Sequence, residues 1–334
     1  MTTRLGLSVD IAFTDNDRDY LKECFLQITT NPYTDYDQFQ EKIKDLAEND
    51  ARVQEIMAIL RPYKDRDLHE HPFFTLTNCP IDEDLPVFDF KDPVNSKYEL
   101  KKTFVAEAFL QWFAYIMDQP AIGYVNVNNG DVFQDIYPME SLQETQSQKA
   151  IVPLGFHKDL ANHFVRPDFV NMLGMRSFHG NQIYTTFVTN KELLAHMSPE
   201  EQFILKQALF YTPFDDLSVY GNKKKLGRAK DHAILIDNDD LAYFENRTVG
   251  TTEAAQQIVD KINRLLHQLK VSHLMKPGEL ISVANNHSLH GKDVLSVSDP
   301  EQQKKRWTIK TVNVFHLDKH QEHFLEGTKC IVNG

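Results

Sequence analysis

Cysteine is scarce in this sequence, with only Cys24, Cys79 and Cys330 among 334 residues. Their odd number and wide spacing exclude a disulfide framework and a thiolate metal site, so a reducing compartment, the cytoplasm, is expected. Long apolar runs are also lacking, since no stretch approaches the roughly 18 apolar residues that a membrane-spanning helix needs. The opening residues are polar, and no signal peptide is predicted.

Basic residues are outnumbered, with 36 Lys and Arg against 48 Asp and Glu and a formal net charge of −12. Nucleic-acid binding needs clustered Lys and Arg, so the charge balance argues against a nucleic-acid partner. A small cationic molecule suits an acidic protein better, although acidity is common among soluble proteins. Repeats and low-complexity linkers are missing too, and a single domain over residues 1–334 is therefore expected. The oligomeric state is left open.

Hydrophobic periodicity divides the chain into a helical first part and a β-rich second part. Helices are predicted over 15–29, 35–60 and from Asp92-Pro93 to about 118, within a mainly helical part at 1–120. Strands are predicted over 121–137, 170–188, 279–284 and 306–315, within a core at 121–315. An insertion at about 198–270 carries helices 198–209, with Ser198 as N-cap, and 251–269, and 316–334 forms a tail. This order favours a mainly β, sandwich-type core with flanking helices.

The segment Gly155-Phe156-His157-Lys158-Asp159 sets a histidine and an aspartate two residues apart in this β-rich part. Residues i and i+2 of a strand point to the same face, so both side chains could reach one metal ion. A His-x-Asp pair alone is weak evidence, because His316-Leu317-Asp318 is a second copy. That copy lies near the C-terminus, without a downstream histidine and a strand-borne arginine to complete a site.

Two downstream features complete the pattern. Residues 279–292 predict a strand followed by a polar turn presenting histidine, with both His287 and His290 after the strand, and Arg306 begins the last strong strand. Two histidines and one carboxylate on one face of Fe(II) leave three positions open, enough for a chelating keto acid and O₂. An arginine supplies a planar fork for a distal carboxylate.

In these segments the protein resembles the clavaminate synthase-like branch of the Fe(II)/2-oxoglutarate-dependent oxygenases. It looks most like hydroxylases of free arginine or lysine in antibiotic pathways. The resemblance is carried by the segment from Gly123-Tyr124 to Asp135-Ile136-Tyr137-Pro138, by HKDLANHFVRPDFV at 157–170, by PGELISVANNHSLHGK at 277–292 and by Arg306-Trp307. It implies a double-stranded β-helix (jelly-roll) core, with Fe(II), 2-oxoglutarate and O₂ as reactants. It assigns the iron to His157, Asp159 and His290, and the 2-oxoglutarate carboxylate to Arg306 and Thr185.

The resemblance also implies an outcome and a set of substrate contacts. Relatives often carry Glu at the position of Asp159, and halogenating relatives carry a small residue there, so Asp159 favours hydroxylation. Asn128 is implied at the substrate backbone, and Asp237 and Asp239 at a cationic side chain. Plainer readings remain open: a hairpin turn at Asn128, which precedes Asn129-Gly130, a solvated loop at the two aspartates, and an ordinary strand residue at Thr185. His290 is expected as the ligand, with a supporting or surface role for His287.

The predicted function is hydroxylation of a free L-amino acid, arginine or lysine, on its side chain, with release of succinate and CO₂. Three alternatives remain: a same-fold oxygenase with another substrate or outcome, such as desaturation or protein hydroxylation, a zinc hydrolase that uses the same three ligands, and a non-catalytic binding module. The hydrolase would have no use for Arg306. His69-Glu70-His71 has metal-like spacing, but Pro72 and an apolar run follow directly, so no metal is expected there.

Overall fold

The structure is a computed structural model that describes residues 4–213 and 229–333. Its helices are α1 (Asp15–Leu26), α2 (Tyr36–Asn49), α3 (Ala51–Leu60), α4 (Pro93–Leu100), α5 (Val105–Met117), α6 (Asn190–Ala195), α7 (Pro199–Leu205), α8 (Glu253–Leu269) and α9 (Pro300–Lys304). Among these described segments, no helix is long and apolar enough to cross a bilayer.

The strands are short at both ends of the sequence and longest in its second half. They are β1 (Arg4–Leu5), β2 (Ile11–Ala12), β3 (Phe73–Thr77), β4 (Ala121–Tyr124), β5 (Gln134–Ile136), β6 (Leu154–His157), β7 (Phe169–Arg176), β8 (Gln182–Thr189), β9 (Phe210–Tyr211), β10 (Val249–Gly250), β11 (Val271–His273), β12 (Leu280–Ala284), β13 (Ser288–Ser296), β14 (Trp307–Asn313) and β15 (Ile331–Val332).

Two predicted helices are each divided in the structure by a charged residue. Asp50 is extended and its carboxylate accepts a hydrogen bond from the backbone N–H of Val53 at 2.9 Å, so it ends α2 and caps α3. Lys101 is also extended, and its ammonium donates to buried Asp82 and Glu107, which separates α4 from α5. The Asp50 cap is a local contact, whereas Lys101 pairs with Asp82 and Glu107, whose positions the helical period does not report.

The described strands form two main sheets and a two-stranded ribbon, β9 with β10. One sheet has the order β1-β11-β8-β13-β6. The other follows the path β15-β4-β14-β7-β12-β3-β2, with β5 also paired to β14. The two sheets meet where the rings of Phe73 on β3 and Phe187 on β8 lie 5.1 Å apart. The buried helix α5 contacts β14 and β7 from the outer side of the larger sheet.

Strand alternation then decides which side chains point between the sheets. Phe156 on β6 and Leu289 on β13 are buried in one apolar cluster with the inner face of α8, outside the smaller sheet. Because neighbouring residues on a strand face opposite sides, His157 and His290 are turned to the inner side. Helix α8, which belongs to the predicted insertion, thus fixes the orientation of both histidines.

Candidate metal centre

His157, Asp159 and His290 converge on one point between the sheets. β6 and β13 are antiparallel with His157 directly opposite His290. Oδ1 of Asp159 lies 3.3 Å from Nε2 of His157 and 3.6 Å from Nε2 of His290, and all three side chains are buried. Ligand atoms roughly 2.0–2.2 Å from one metal ion stand roughly 3 Å apart, so this donor set fits a single transition-metal ion.

Asp159 reaches this point from a loop. β6 ends at His157, so the prediction that both residues share a strand is wrong. Asn285 holds the loop instead: its Oδ1 accepts from the Asp159 backbone N–H at 3.0 Å, and its Nδ2 donates to the Asp159 carbonyl at 3.1 Å. The next residue, Leu160, has a φ of 53°, in the left-handed region that turns the backbone away.

The imidazole of His157 is oriented for ligation. Its Nδ1–H donates to the carbonyl of Gly155 at 2.9 Å, which leaves the lone pair on Nε2 facing Asp159. The ring of Phe244 stacks on it, with centroids 4.9 Å apart and planes inclined by 24°. Burial, and then the neighbouring His157, lower the pKa of His290, so His290 is neutral and able to donate an electron pair at ordinary pH.

Lys310 is a member of the site that sequence reasoning missed. Its Nζ donates to Oδ2 of Asp159 at 2.7 Å, across the gap between the sheets. Burial alone would raise the pKa of the Asp159 carboxyl, but Lys310 and the two imidazoles hold it well below its usual range. The alternating pattern of the last strong strand could have indicated Lys310. Arg306, Thr308 and Lys310 are each two residues apart, so a strand points them to the same face.

Gln134 is a second residue that the sequence did not single out. It pairs with Lys310 across β5 and β14, so the two side chains start from neighbouring points of the same sheet. Gln134 is buried, and its Nε2 has no hydrogen-bond partner among the described residues. An unpaired buried donor is costly unless a ligand satisfies it, so Gln134 is a candidate ligand contact.

Arg306 and Thr185 line one cavity, as the prediction for a shared carboxylate requires. Thr308 lines it as well, which connects the cavity to the β14 face that carries Lys310. Burial lowers the pKa of Arg306 to about 10, so the guanidinium is still charged at neutral pH. No carboxylate of residues 4–213 or 229–333 perturbs that pKa. A cation is therefore available for an anionic ligand.

Asn128 lies in a turn, with a φ of 45°, and it is followed by Asn129 at 60° and Gly130 at 91°. Its side chain is buried and accepts a hydrogen bond from Nζ of Lys149. The backbone of Asn128 therefore forms a turn, but not the expected hairpin, because β4 and β5 both pair with β14 and not with each other. Its predicted substrate contact stays a prediction.

The two acidic residues expected at the substrate behave differently from each other. Asp237 is exposed, and its carboxylate accepts from the adjacent backbone N–H of Asn238 at 2.8 Å. Asp239 is buried, but its Oδ2 is bonded to Nδ1 of His69 at 2.7 Å and to Nδ1 of His287 at 2.9 Å. The Asp239 carboxylate is thus engaged by two imidazoles of the same molecule.

Comparison with known proteins adds an independent line of evidence. No family model matches the sequence. L-lysine 3-hydroxylase of Catenulispora acidiphila is 25% identical over 181 residues, 52% of this chain and 50% of that protein. Clavaminate synthase 2 of Streptomyces clavuligerus is 23% identical over 290 residues, 84% and 85% of the two proteins. L-asparagine oxygenase of Streptomyces coelicolor is 27% identical over 170 residues, 49% of each. The matches to the first and third cover about half the length of those proteins.

Solved structures match over nearly the whole length of the protein. Asparagine oxygenase in complex with Fe(II), 2S,3S-3-hydroxyasparagine and succinate has a TM-score of 0.80 at 18% identity, over 98% of this chain and 100% of that one. The non-heme iron oxygenase OrfP with Fe, succinate and (3R,4R)-dihydroxy-L-Arg has a TM-score of 0.79 at 15% identity, over 96% and 99%. The predicted resemblance to the clavaminate synthase-like oxygenases is confirmed. The expected mainly β, jelly-roll core with flanking helices is confirmed with it.

Proposed function

We propose that this protein is an Fe(II)/2-oxoglutarate-dependent dioxygenase that hydroxylates an unactivated carbon in the side chain of a free L-amino acid. The observation that carries the proposal is the buried His157–Asp159–His290 group, joined along β14 to a cavity lined by the charged guanidinium of Arg306. The sequence relatives include a lysine 3-hydroxylase and an asparagine oxygenase, and one structural neighbour holds a dihydroxylated L-Arg. When bound, iron would supply the oxidative chemistry that converts 2-oxoglutarate, O₂ and the substrate C–H to succinate, CO₂ and the hydroxylated product, with one oxygen atom of O₂ in succinate and the other in the new hydroxyl group.

Each residue has a distinct task in this proposal. His157 and His290 offer Nε2 and Asp159 offers Oδ1, while Lys310 neutralises the other oxygen of the aspartate. Arg306 binds the distal carboxylate of 2-oxoglutarate through paired N–H donors, and Thr185 adds a hydroxyl from the same cavity wall. Burial of the group between the sheets excludes water from the reacting atoms.

For the substrate, we propose a basic L-amino acid, lysine or arginine. The support is the net charge of −12, the likeness to a lysine 3-hydroxylase, and the L-Arg complex of OrfP. Asparagine is the competing substrate, because asparagine oxygenases are among the sequence relatives and the structural neighbours. Because Asp239 is already bonded to two imidazoles, the contact to a cationic substrate group needs another carboxylate or a rearrangement of Asp239.

The test is succinate release after anaerobic reconstitution with Fe(II), measured for each of the twenty amino acids with 2-oxoglutarate and O₂. Lysine or arginine is expected to stimulate release, with a product heavier by one oxygen atom in mass spectrometry. Stimulation by asparagine alone would refute the basic substrate and keep the reaction class. Silence with all twenty would refute the free-amino-acid substrate.

Three variants separate the roles of these residues. His290→Ala is expected to abolish turnover, whereas His287→Ala, three positions earlier, is expected to leave iron binding at the centre intact. Arg306→Ala is expected to reduce 2-oxoglutarate consumption strongly. A zinc hydrolase with the same ligands would not depend on Arg306 in this way. Equal loss in His287→Ala and His290→Ala would contradict the ligand assignment.

A further inference from the structure

A second group of potential metal ligands lies outside the centre described above. His69, Asp239 and His287 come from three separate segments, and their ligand atoms lie within 4.8 Å of one another. Oδ2 of Asp239 is 2.7 Å from Nδ1 of His69 and 2.9 Å from Nδ1 of His287. The side chains are 8% exposed for Asp239, 27% for His287 and 44% for His69, so an ion could enter from solvent.

The three segments are held in place independently of the imidazole contacts. Asp67 accepts hydrogen bonds from the backbone N–H groups of His69 and Glu70, which fixes the turn that presents His69. Asn190, at the start of α6, is fully buried, and its Nδ2 donates to the carbonyls of Asp239 and Asn286. The backbone N–H of Asn190 also donates to the carbonyl of His287 at 2.9 Å. The ligands are therefore pre-positioned, as binding sites require.

The Nδ1 and Oδ2 atoms of these residues are slightly closer together than ligand atoms are in an occupied metal site. In a tetrahedral zinc site with ligand distances of roughly 2.0–2.1 Å, two ligand atoms stand roughly 3.3 Å apart. The two Nδ1–Oδ2 distances fall short of this by less than one ångström. Both imidazoles turn Nδ1 toward the same oxygen, so a divalent ion would bind all three groups together once each neutral ring carries its proton on Nε2 instead of Nδ1.

In contrast to the expectation of no metal at His69-Glu70-His71, we propose that His69, Asp239 and His287 form a second divalent-metal site, suited to Zn²⁺ or a similar borderline ion. Two imidazoles and one carboxylate are the donor set that such ions accept, and hard ions such as Mg²⁺ and Ca²⁺ prefer oxygen ligands. Among the described residues the group offers three ligands, which leaves a position for solvent. The site is separate from the oxygenase centre, since it shares no ligand with His157, Asp159 or His290.

Occupancy of this site would join three segments that surround the centre. His287 lies in the turn between β12 and β13, and β13 carries His290. Asp239 lies in the segment that leads to Phe244, whose ring stacks on His157. A bound ion would therefore tie the support of both histidine ligands to the turn at Asp67, and its effect is stabilisation rather than chemistry.

The test counts bound metal in the full-length protein. The chelator-stripped protein is dialysed against Zn²⁺, then against metal-free buffer, and analysed by inductively coupled plasma mass spectrometry. Two equivalents are expected for the wild type, one for each group. One is expected for His69→Ala/His287→Ala, one for His157→Ala/His290→Ala, and two for His71→Ala, the matched control on the same turn.

The fold of the double variants is first checked by circular dichroism. A further variant and a Tm measurement then exclude misfolding as the reason for a lower zinc count. Asp239→Asn keeps an oxygen toward both imidazoles but removes the anionic ligand, and it is expected to lose the same equivalent. Zn²⁺ is expected to raise the Tm of His157→Ala/His290→Ala and not of a variant that also lacks His69 and His287. The proposal is overturned by an equal zinc count in wild type and His69→Ala/His287→Ala, or by a wild-type count of one that His157→Ala/His290→Ala abolishes.

Discussion

Replacing Lys310 by methionine removes the charge that faces Asp159 while it keeps most of the side-chain volume. At 2.7 Å and an effective dielectric constant of about 20, the pair attracts with about 6 kcal/mol. Desolvation of both groups offsets part of this attraction, and removing one partner of a buried pair costs ~3–5 kcal/mol because the other charge is left unpaired. We therefore expect the metal-free protein to lose about 3–5 kcal/mol of unfolding free energy.

A bound divalent ion changes this result in a defined direction. The ion neutralises Asp159 itself, so the loss in Lys310→Met is expected to be smaller with metal than without it. By linkage, the variant then binds metal more tightly than the wild type does, by the difference between the two losses. Urea unfolding in excess EDTA and in excess Mn²⁺ measures the loss of unfolding free energy without and with metal. The difference between the two losses gives the change in metal affinity.

Lys304→Met is the matched control, because Lys304 forms an exposed pair with Glu301 and its loss is expected to cost under about 0.5 kcal/mol. Equal stability of Lys310→Met and wild type in EDTA would refute the reasoning. An equal loss with and without metal would refute the part that couples Lys310 to the ion.

Three further predictions concern single residues. Arg306→Lys is expected to raise the KM for 2-oxoglutarate roughly 10- to 100-fold, since one charge-assisted bond is worth about 1.5–3 kcal/mol; steady-state kinetics that show an unchanged KM would contradict this role. His267, whose hydrogen bond to Glu245 raises its pKa above 6.5, contributes stability that is present below that pH and is lost as the pH rises through the folded-state value. Because His267 is half exposed, this loss of unfolding free energy between pH 6 and 9 is expected to stay under about 1 kcal/mol. Urea unfolding at the two pH values should show the loss in the wild type and not in His267→Gln. Lys101→Met removes the cation that faces the buried carboxylates of Asp82 and Glu107, which keep only neutral hydrogen-bond donors, and is expected to lower the unfolding free energy by ~3–5 kcal/mol, measured against Lys304→Met as the exposed control.

The local features of the protein were predictable because neighbours in sequence carry their signals. The capping box of Ser198 and Glu201 forms as expected, and the alternation over 306–315 becomes β14. The order of His157, Asp159, His290 and Arg306 led to the clavaminate synthase-like oxygenases, and the sequence relatives together with the fold confirm that resemblance. The roles of these four residues remain predictions for the experiments above.

Tertiary structure alone decided which charges meet. Lys310 is 151 residues from Asp159 in sequence and His69 is 170 from Asp239, so no helical or strand period connects either pair. Packing of the two sheets sets the first contact and the fixed turns around Asn190 set the second. Sequence therefore determined the ligand types and their order through short-range periodicity. The fold determined that Asp159 meets His157, His290 and Lys310 and that Asp239 meets His69 and His287, because these contacts depend on distances between segments.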